Sequence, residues 1–138
     1  GLIFAADLMR RLTIPVSIEC ISASSYQKTV STGLVQIAGL PDRALTGRRV
    51  LVIEDIVDTG RTLRAILDQM ESQHPKSLAV CALLEKPGRR EVAVEVDYVG
   101  FNVGDAFVVG YGLDYEQRGR ELPGICILRA DPEEAESR

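Results

Sequence analysis

Apolar residues recur at two spacings along this chain, and the switch between them marks the elements. From Leu2 to Leu12, the residues Phe4, Leu8 and Leu12 form a stripe with Arg10 and Arg11 opposite, which predicts a helix. From Pro15 to Ser22 the pattern alternates, with Val16, Ile18 and Cys20 on one face, and predicts a strand. Residues 23–33 are small and polar and predict a loop or the ends of a hairpin, with a returning strand at Leu34–Ile37 and a connector over 39–47. Val50 to Ile53 is an unbroken apolar run, the mark of a buried strand. A helix from about Gly60 to Gln73 follows, with Leu63, Ile66, Leu67 and Met70 at helical spacing, and then an apolar strand over Ser77–Leu84. Short strands are predicted at Val96–Phe101, Phe107–Val109 and Gly124–Leu128. Strand and helix alternate through the middle, which argues for a parallel α/β sheet, and the short strands after residue 95 suggest an appended lobe.

The polar residues that interrupt this pattern carry the chemistry. The run at 50–53 enters two adjacent acids, Glu54 and Asp55, then Ile56-Val57, then Asp58-Thr59-Gly60-Arg61-Thr62. That order predicts a buried strand, a short acidic loop and a helix start. In an open α/β sheet, ligands bind beyond the carboxyl ends of the strands. A helix start offers unpaired N–H groups and a positive dipole end, which suit a phosphate. Beside them, a vicinal acid pair suits sugar hydroxyls, so the combination suggests a phosphorylated sugar. The plainer alternative is that Asp58 or Thr59 caps the helix and the acids sit in a solvated turn.

Composition narrows the field. The chain has 138 residues, enough for one domain with a core, and a formal net charge of −4 without a basic run. A broad nucleic-acid-binding face is therefore not expected. Cys20, Cys81 and Cys126 are far apart in apolar, strand-like segments, which fits buried, reduced thiols in a cytoplasmic protein. The only histidine, His74, falls just past the second helix, which removes histidine triads and zinc clusters from consideration. No segment has the length of a membrane span. Residues 1–130 read as one domain, and the acidic 131–138 as a disordered tail.

The run at 50–62 resembles the phosphoribosyl pyrophosphate (PRPP) signature of the type I phosphoribosyltransferases. The resemblance implies that Glu54 and Asp55 hold the ribose hydroxyls and that Asp58, Thr59, Gly60, Arg61 and Thr62 wrap the 5-phosphate. It also implies the family fold, a mostly parallel central sheet flanked by helices with a small hood of short strands. Further segments follow in order: Leu83-Leu84-Glu85-Lys86-Pro87, Val99-Gly100-Phe101, Phe107 to Tyr115, and Arg120-Glu121-Leu122-Pro123. Together they resemble the hypoxanthine-guanine phosphoribosyltransferases over essentially the whole chain.

Each role this implies makes chemical sense. Phe107 would stack on the purine, and Lys86 would donate to its six-position oxygen, rejecting adenine. Val108 would meet the exocyclic edge through its carbonyl. Asp114 would lie at the purine and bind magnesium, with Glu54 and Asp55 as further metal ligands. Arg120 would pair with pyrophosphate, Ser25 and Tyr26 would belong to a lid, and Asp58 would be the general base. Residue by residue the bland alternatives stand: Phe107 as a core aromatic, Lys86 as a solvent-facing strand-end cation, Asp114 as a turn-former.

Gly1 and the residues to Asp7 match the last glycine of the family's pyrophosphate loop and the helix after it, so Gly1 would touch pyrophosphate. The family's usual amino-terminal segment lies before that point and has no match in this sequence. Expected partners are PRPP, a 6-oxopurine, pyrophosphate and a nucleoside monophosphate, in a homodimer or homotetramer, with no nucleic acid and no membrane. Two alternatives remain at this stage: a PRPP-sensing regulatory protein, and an inactive fragment of the transferase.

Overall fold

The computed structural model describes residues 1–25, 35–38 and 44–129. Its centre is a three-stranded parallel sheet in the order β3 (Arg49–Val57), β4 (Ser77–Glu85), β5 (Tyr98–Asn102). Before it come helix α1 (Leu2–Met9) and an antiparallel pair, β1 (Ser22–Ser25) with β2 (Val35–Ala38). Helix α2 (Arg61–Glu71) is the crossover between β3 and β4. A small antiparallel pair, β6 (Val108–Val109) with β7 (Cys126–Ile127), forms the appended lobe.

The helical spacing read at Leu63, Ile66, Leu67 and Met70 is the buried face of α2. It packs with Val52, Val57, Val80 and Ala82 of β3 and β4. Burying a side chain of this size stabilises by about 1.5–3 kcal/mol relative to exposure, which is why an 11-residue helix holds here although isolated helices that short are marginal. A second cluster, Leu83, Leu84, Val108 and Leu113, ties the end of β4 to the lobe, with Phe4 of α1 packed against it. The Tyr111 hydroxyl adds a polar tie, donating to the Asp7 carboxylate of α1. Asp7 also pairs with Arg10. His74 sits in the turn after α2 and accepts a bond from the N–H of Gly47 through its carbonyl.

Several expected bounds shift. The first helix ends at Met9, so Leu12 falls beyond it, 39% exposed. The alternating stretch 15–21 forms no strand among the described residues, and Val16 and Ile18 stay about half exposed. Alternation marks a half-buried face only where another layer covers it, and the pairing begins instead at Ser22, the last residue of the expected strand, and continues into the expected loop. Cys20 and Cys126 are exposed rather than core residues. Most consequential, β3 runs on to Val57 in register with β4, so Glu54 and Asp55 belong to the strand and not to a loop. The expected acidic tail, 131–138, lies outside the described residues.

Candidate active site

The carboxyl end of β3 delivers the first group of residues. A concavity of about 130 Å³ is lined by Glu54, Ile56, Val57, Asp58, Thr59, Gly60, Thr62 and Leu63. Its floor is the start of α2. Gly60 is the N-cap, left-handed at φ 83°, and no side chain caps the helix. The capping alternative therefore fails for Asp58, and for Thr59 it shrinks to one long bond, 3.4 Å, accepted from the Arg61 N–H. The first-turn N–H groups keep their capacity for an anion. Only glycine fits at position 60: a Cβ would lie 2.6 Å from the Val92 carbonyl oxygen. Arg61 departs from expectation, since its guanidinium turns out to Glu91 at 2.5 Å and only its backbone faces the helix start.

The acid pair is electrostatically loaded. Burial, then the neighbouring Asp55 charge, push the Glu54 carboxyl up to about 7. Asp55 accepts from the Gly1 nitrogen at 2.8 Å. Gly1 thus lies on the carboxyl end of β3, where a Cβ would meet the Ile53 carbonyl at 3.2 Å. The Asp58 carboxylate lies 3.0 Å from Arg89 Nε. The pair is close without hydrogen-bond alignment, because Asp58 Oδ1 is buried and accepts no hydrogen bond.

The second group sits at the carboxyl end of β4. Lys86 is 5% exposed, which excludes the solvent-facing reading. Its N–H bonds the Val57 carbonyl at 3.0 Å, one residue before Asp58, and its Nζ donates to the Ala106 carbonyl at 2.8 Å. An ammonium has three donors, so two remain. Phe107 is adjacent to Ala106, precedes β6, is about half exposed, and meets the Tyr115 ring edge-on at 5.3 Å. It is not a core aromatic. Val108 is buried in β6.

Asp114 and Arg120, expected on different parts of a ligand, pair directly at 2.8 Å. Asp114 also accepts from the Gln117 N–H, and Arg120 donates to the Gly112 carbonyl. In this state Asp114 does fix a turn. Ser25 ends β1, and Tyr26 lies outside the described residues. Among the described residues no three potential ligands cluster for a metal. Magnesium bound to pyrophosphate keeps most of its waters and uses one or two carboxylates, so the all-oxygen set Glu54, Asp55 and Asp114 suits it chemically.

Sequence reasoning missed the segment that buttresses the Asp58 loop. The N–H groups of Glu91 and Val92 both donate to the Thr59 carbonyl, at 3.0 and 3.1 Å. Arg90 donates to the Asp58 carbonyl at 3.0 Å and pairs with Glu85. The charged run Arg89-Arg90-Glu91 was the available signal. A larger concavity, about 600 Å³, lies apart, between α1, Phe101 and Tyr111.

Residues 1–116 match the family model described as the phosphoribosyl transferase domain. The hypoxanthine-guanine phosphoribosyltransferase of Mycobacterium avium is 47% identical over 129 residues, 93% of this chain and 64% of its own length. The hypoxanthine phosphoribosyltransferase of Salmonella typhimurium is 48% identical over 88% of this chain and 69% of its own. A crystal structure of a hypoxanthine-guanine phosphoribosyltransferase from Bacillus anthracis superposes with a TM-score of 0.86 at 44% identity, over 93% of this chain and 76% of that one. The chain thus spans about two thirds of the curated relatives. The strand–helix junction, the acid pair and the parallel sheet that carries them have their explanation in descent: this chain belongs to the phosphoribosyl transferase domain family.

Proposed function

We propose that this chain carries the chemistry of a purine-salvage transferase, joining hypoxanthine or guanine to PRPP to give IMP or GMP and pyrophosphate. The carrying observation is the buried Lys86, bonded through its own backbone to the residue before Asp58 and through its ammonium to the residue before Phe107. A purine seated there meets a donor for its six-position oxygen, an exposed ring to stack on, and a carboxylate at once. The 47% identity to a hypoxanthine-guanine enzyme supports the same substrates.

In this reading a purine ring nitrogen attacks the anomeric carbon, the bond from that carbon to the pyrophosphate oxygen breaks with its electron pair, and the purine N–H proton passes to Asp58. The loop into α2 and the helix's uncapped first turn, residues 58–62, hold the 5-phosphate. Glu54 and Asp55 hold the ribose hydroxyls, and their charge favours the oxocarbenium-like state. Val108 offers its carbonyl to the exocyclic edge. Arg120 exchanges its Asp114 partner for the departing pyrophosphate, beside Gly1. Oxygens of Glu54 and Asp55, or of Asp114, would hold magnesium, which would supply charge neutralisation for pyrophosphate. Ser25 and Tyr26 belong to the cover that keeps water from the ribosyl cation.

The test is nucleotide formation from PRPP, magnesium and each of hypoxanthine, guanine, xanthine and adenine, on this chain and on an amino-terminally extended version. Turnover of 6-oxopurines without adenine is expected. Equal turnover of adenine would refute the Lys86 assignment, and absence of nucleotide with every base in both versions would refute the transferase reading.

A further inference from the structure

We propose that Arg90 is a positioning residue for Asp58, acting through the backbone of the loop that carries it. The proposal rests on the assignment of Asp58 as the base. The carbonyl of Asp58 lies outside the helix, since the first bond of α2 runs from Arg64 N–H to the Gly60 carbonyl. Left alone, Asp58 could turn about its own backbone. Arg90 removes that freedom: one guanidinium nitrogen donates to the Asp58 carbonyl at 3.0 Å, while the other is held by the Glu85 carboxylate. Both members of the pair are mostly buried, with side chains 16% and 20% exposed, unlike the half-exposed Arg89 that faces the Asp58 carboxylate itself. A charge-assisted bond in such a setting is short and directional, and the planar guanidinium fixes the second bond once the first is made.

The anchor joins both halves of the site. Glu85 is the last residue of β4, immediately before Lys86. The same segment presses on the next turn, where Arg90 Cδ lies 3.1 Å from the position a Cβ would take at Gly60, and the Glu91 and Val92 N–H groups hold the Thr59 carbonyl. Between the backbone bonds that hold Val57 and Thr59, one side chain therefore holds Asp58 itself relative to Lys86. A purine whose nitrogen is read by the first and whose oxygen is read by the second requires that spacing to be fixed before it arrives.

Arg90→Lys discriminates positioning from bulk support, because an ammonium keeps the charge toward Glu85 but cannot hold both partners in one plane. The experiment measures kcat and KM in wild type, R90K, D58N and the double variant, together with amide exchange at residues 58–62 in wild type and R90K. The expected result is a fall in kcat of about ten- to a hundredfold in R90K, the size of an ångström-scale misplacement. In the D58N background the same change should alter kcat by less than about twofold, since residues acting as one unit are not additive. Exchange at 58–62 should quicken while that of β4 does not. An equal kcat loss in both backgrounds, or unchanged exchange of the loop, would overturn the proposal. Wild-type turnover surviving in D58N would overturn it as well, by removing the base. Failure of the transferase reading itself shows separately, as absence of nucleotide in wild type, and the exchange comparison then still decides whether Arg90 holds the loop.

Discussion

Glu54→Gln should make the protein more stable, and increasingly so as pH rises. In the folded chain the Glu54 carboxyl moves from 4.5 to about 7, because burial and the Asp55 charge oppose its ionisation. Between these values the folded protein holds a proton that the unfolded chain has released. By linkage, wild-type stability falls through that window, and the cost of the charge is complete once pH exceeds the folded value. Each tenfold change in acidity is worth about 1.36 kcal/mol, so the full cost is up to about 3 kcal/mol, of which about 1 is already present at pH 5. Glutamine keeps the size and loses the charge. Urea unfolding of both proteins between pH 5 and 8.5, at fixed ionic strength, should give a stability difference that grows from about 1 to about 3 kcal/mol in favour of the variant. A difference independent of pH, or one favouring wild type at pH 8, would refute the reasoning. On the proposed ribose role of Glu54, the same variant should also bind PRPP more weakly, as calorimetry would show.

Three further outcomes follow from the site. Asp58→Ala should lower kcat by about a hundredfold or more while leaving nucleotide affinity nearly unchanged; steady-state kinetics with hypoxanthine checks it. Lys86→Gln should lower kcat/KM for hypoxanthine and narrow its margin over adenine, read from the ratio of the two values, because a cation that only donates gives way to an amide that can also accept from an amine. Gly60→Ala forces a side chain into a left-handed position facing the Val92 carbonyl and should cost more than about 1–2 kcal/mol in urea unfolding, with weaker PRPP binding by calorimetry.

What the sequence made legible was what repeats locally. The α2 stripe and the run at 50–53 show their burial in their spacing, and the parallel sheet follows from their alternation. The carboxyl end of β3 was harder to read, because Glu54 and Asp55 have the composition of a turn. Their ladder to β4, Glu54 opposite Ala82, is visible only in three dimensions. The stretch 15–21 failed in the opposite sense, alternating without a described partner. Among site residues, those within 50–62 and Lys86 could be named from order and spacing. Arg90 could not, since its bond to Asp58 spans 32 positions and depends on where a loop lands. The pairing of Asp114 with Arg120 was equally hidden, because the resemblance assigns them to different parts of a ligand and nothing in their spacing marks them as a pair.

The tie between Tyr111 and Asp7 spans 104 positions, and this bears on the order in which the molecule assembles. Residues 49–102 contain all three parallel strands and their crossover, so that nucleus can form without either end of the chain. Closing the long loop from α1 to the lobe carries an entropic cost that only an already condensed centre offsets. The lobe bearing Phe107 and Asp114 is then expected to dock last and open first. Tyr111→Phe should leave the refolding rate nearly unchanged and speed unfolding. Phe107 and Asp114 would thus sit on a hinge of late assembly, and residues 54–62 on its nucleus.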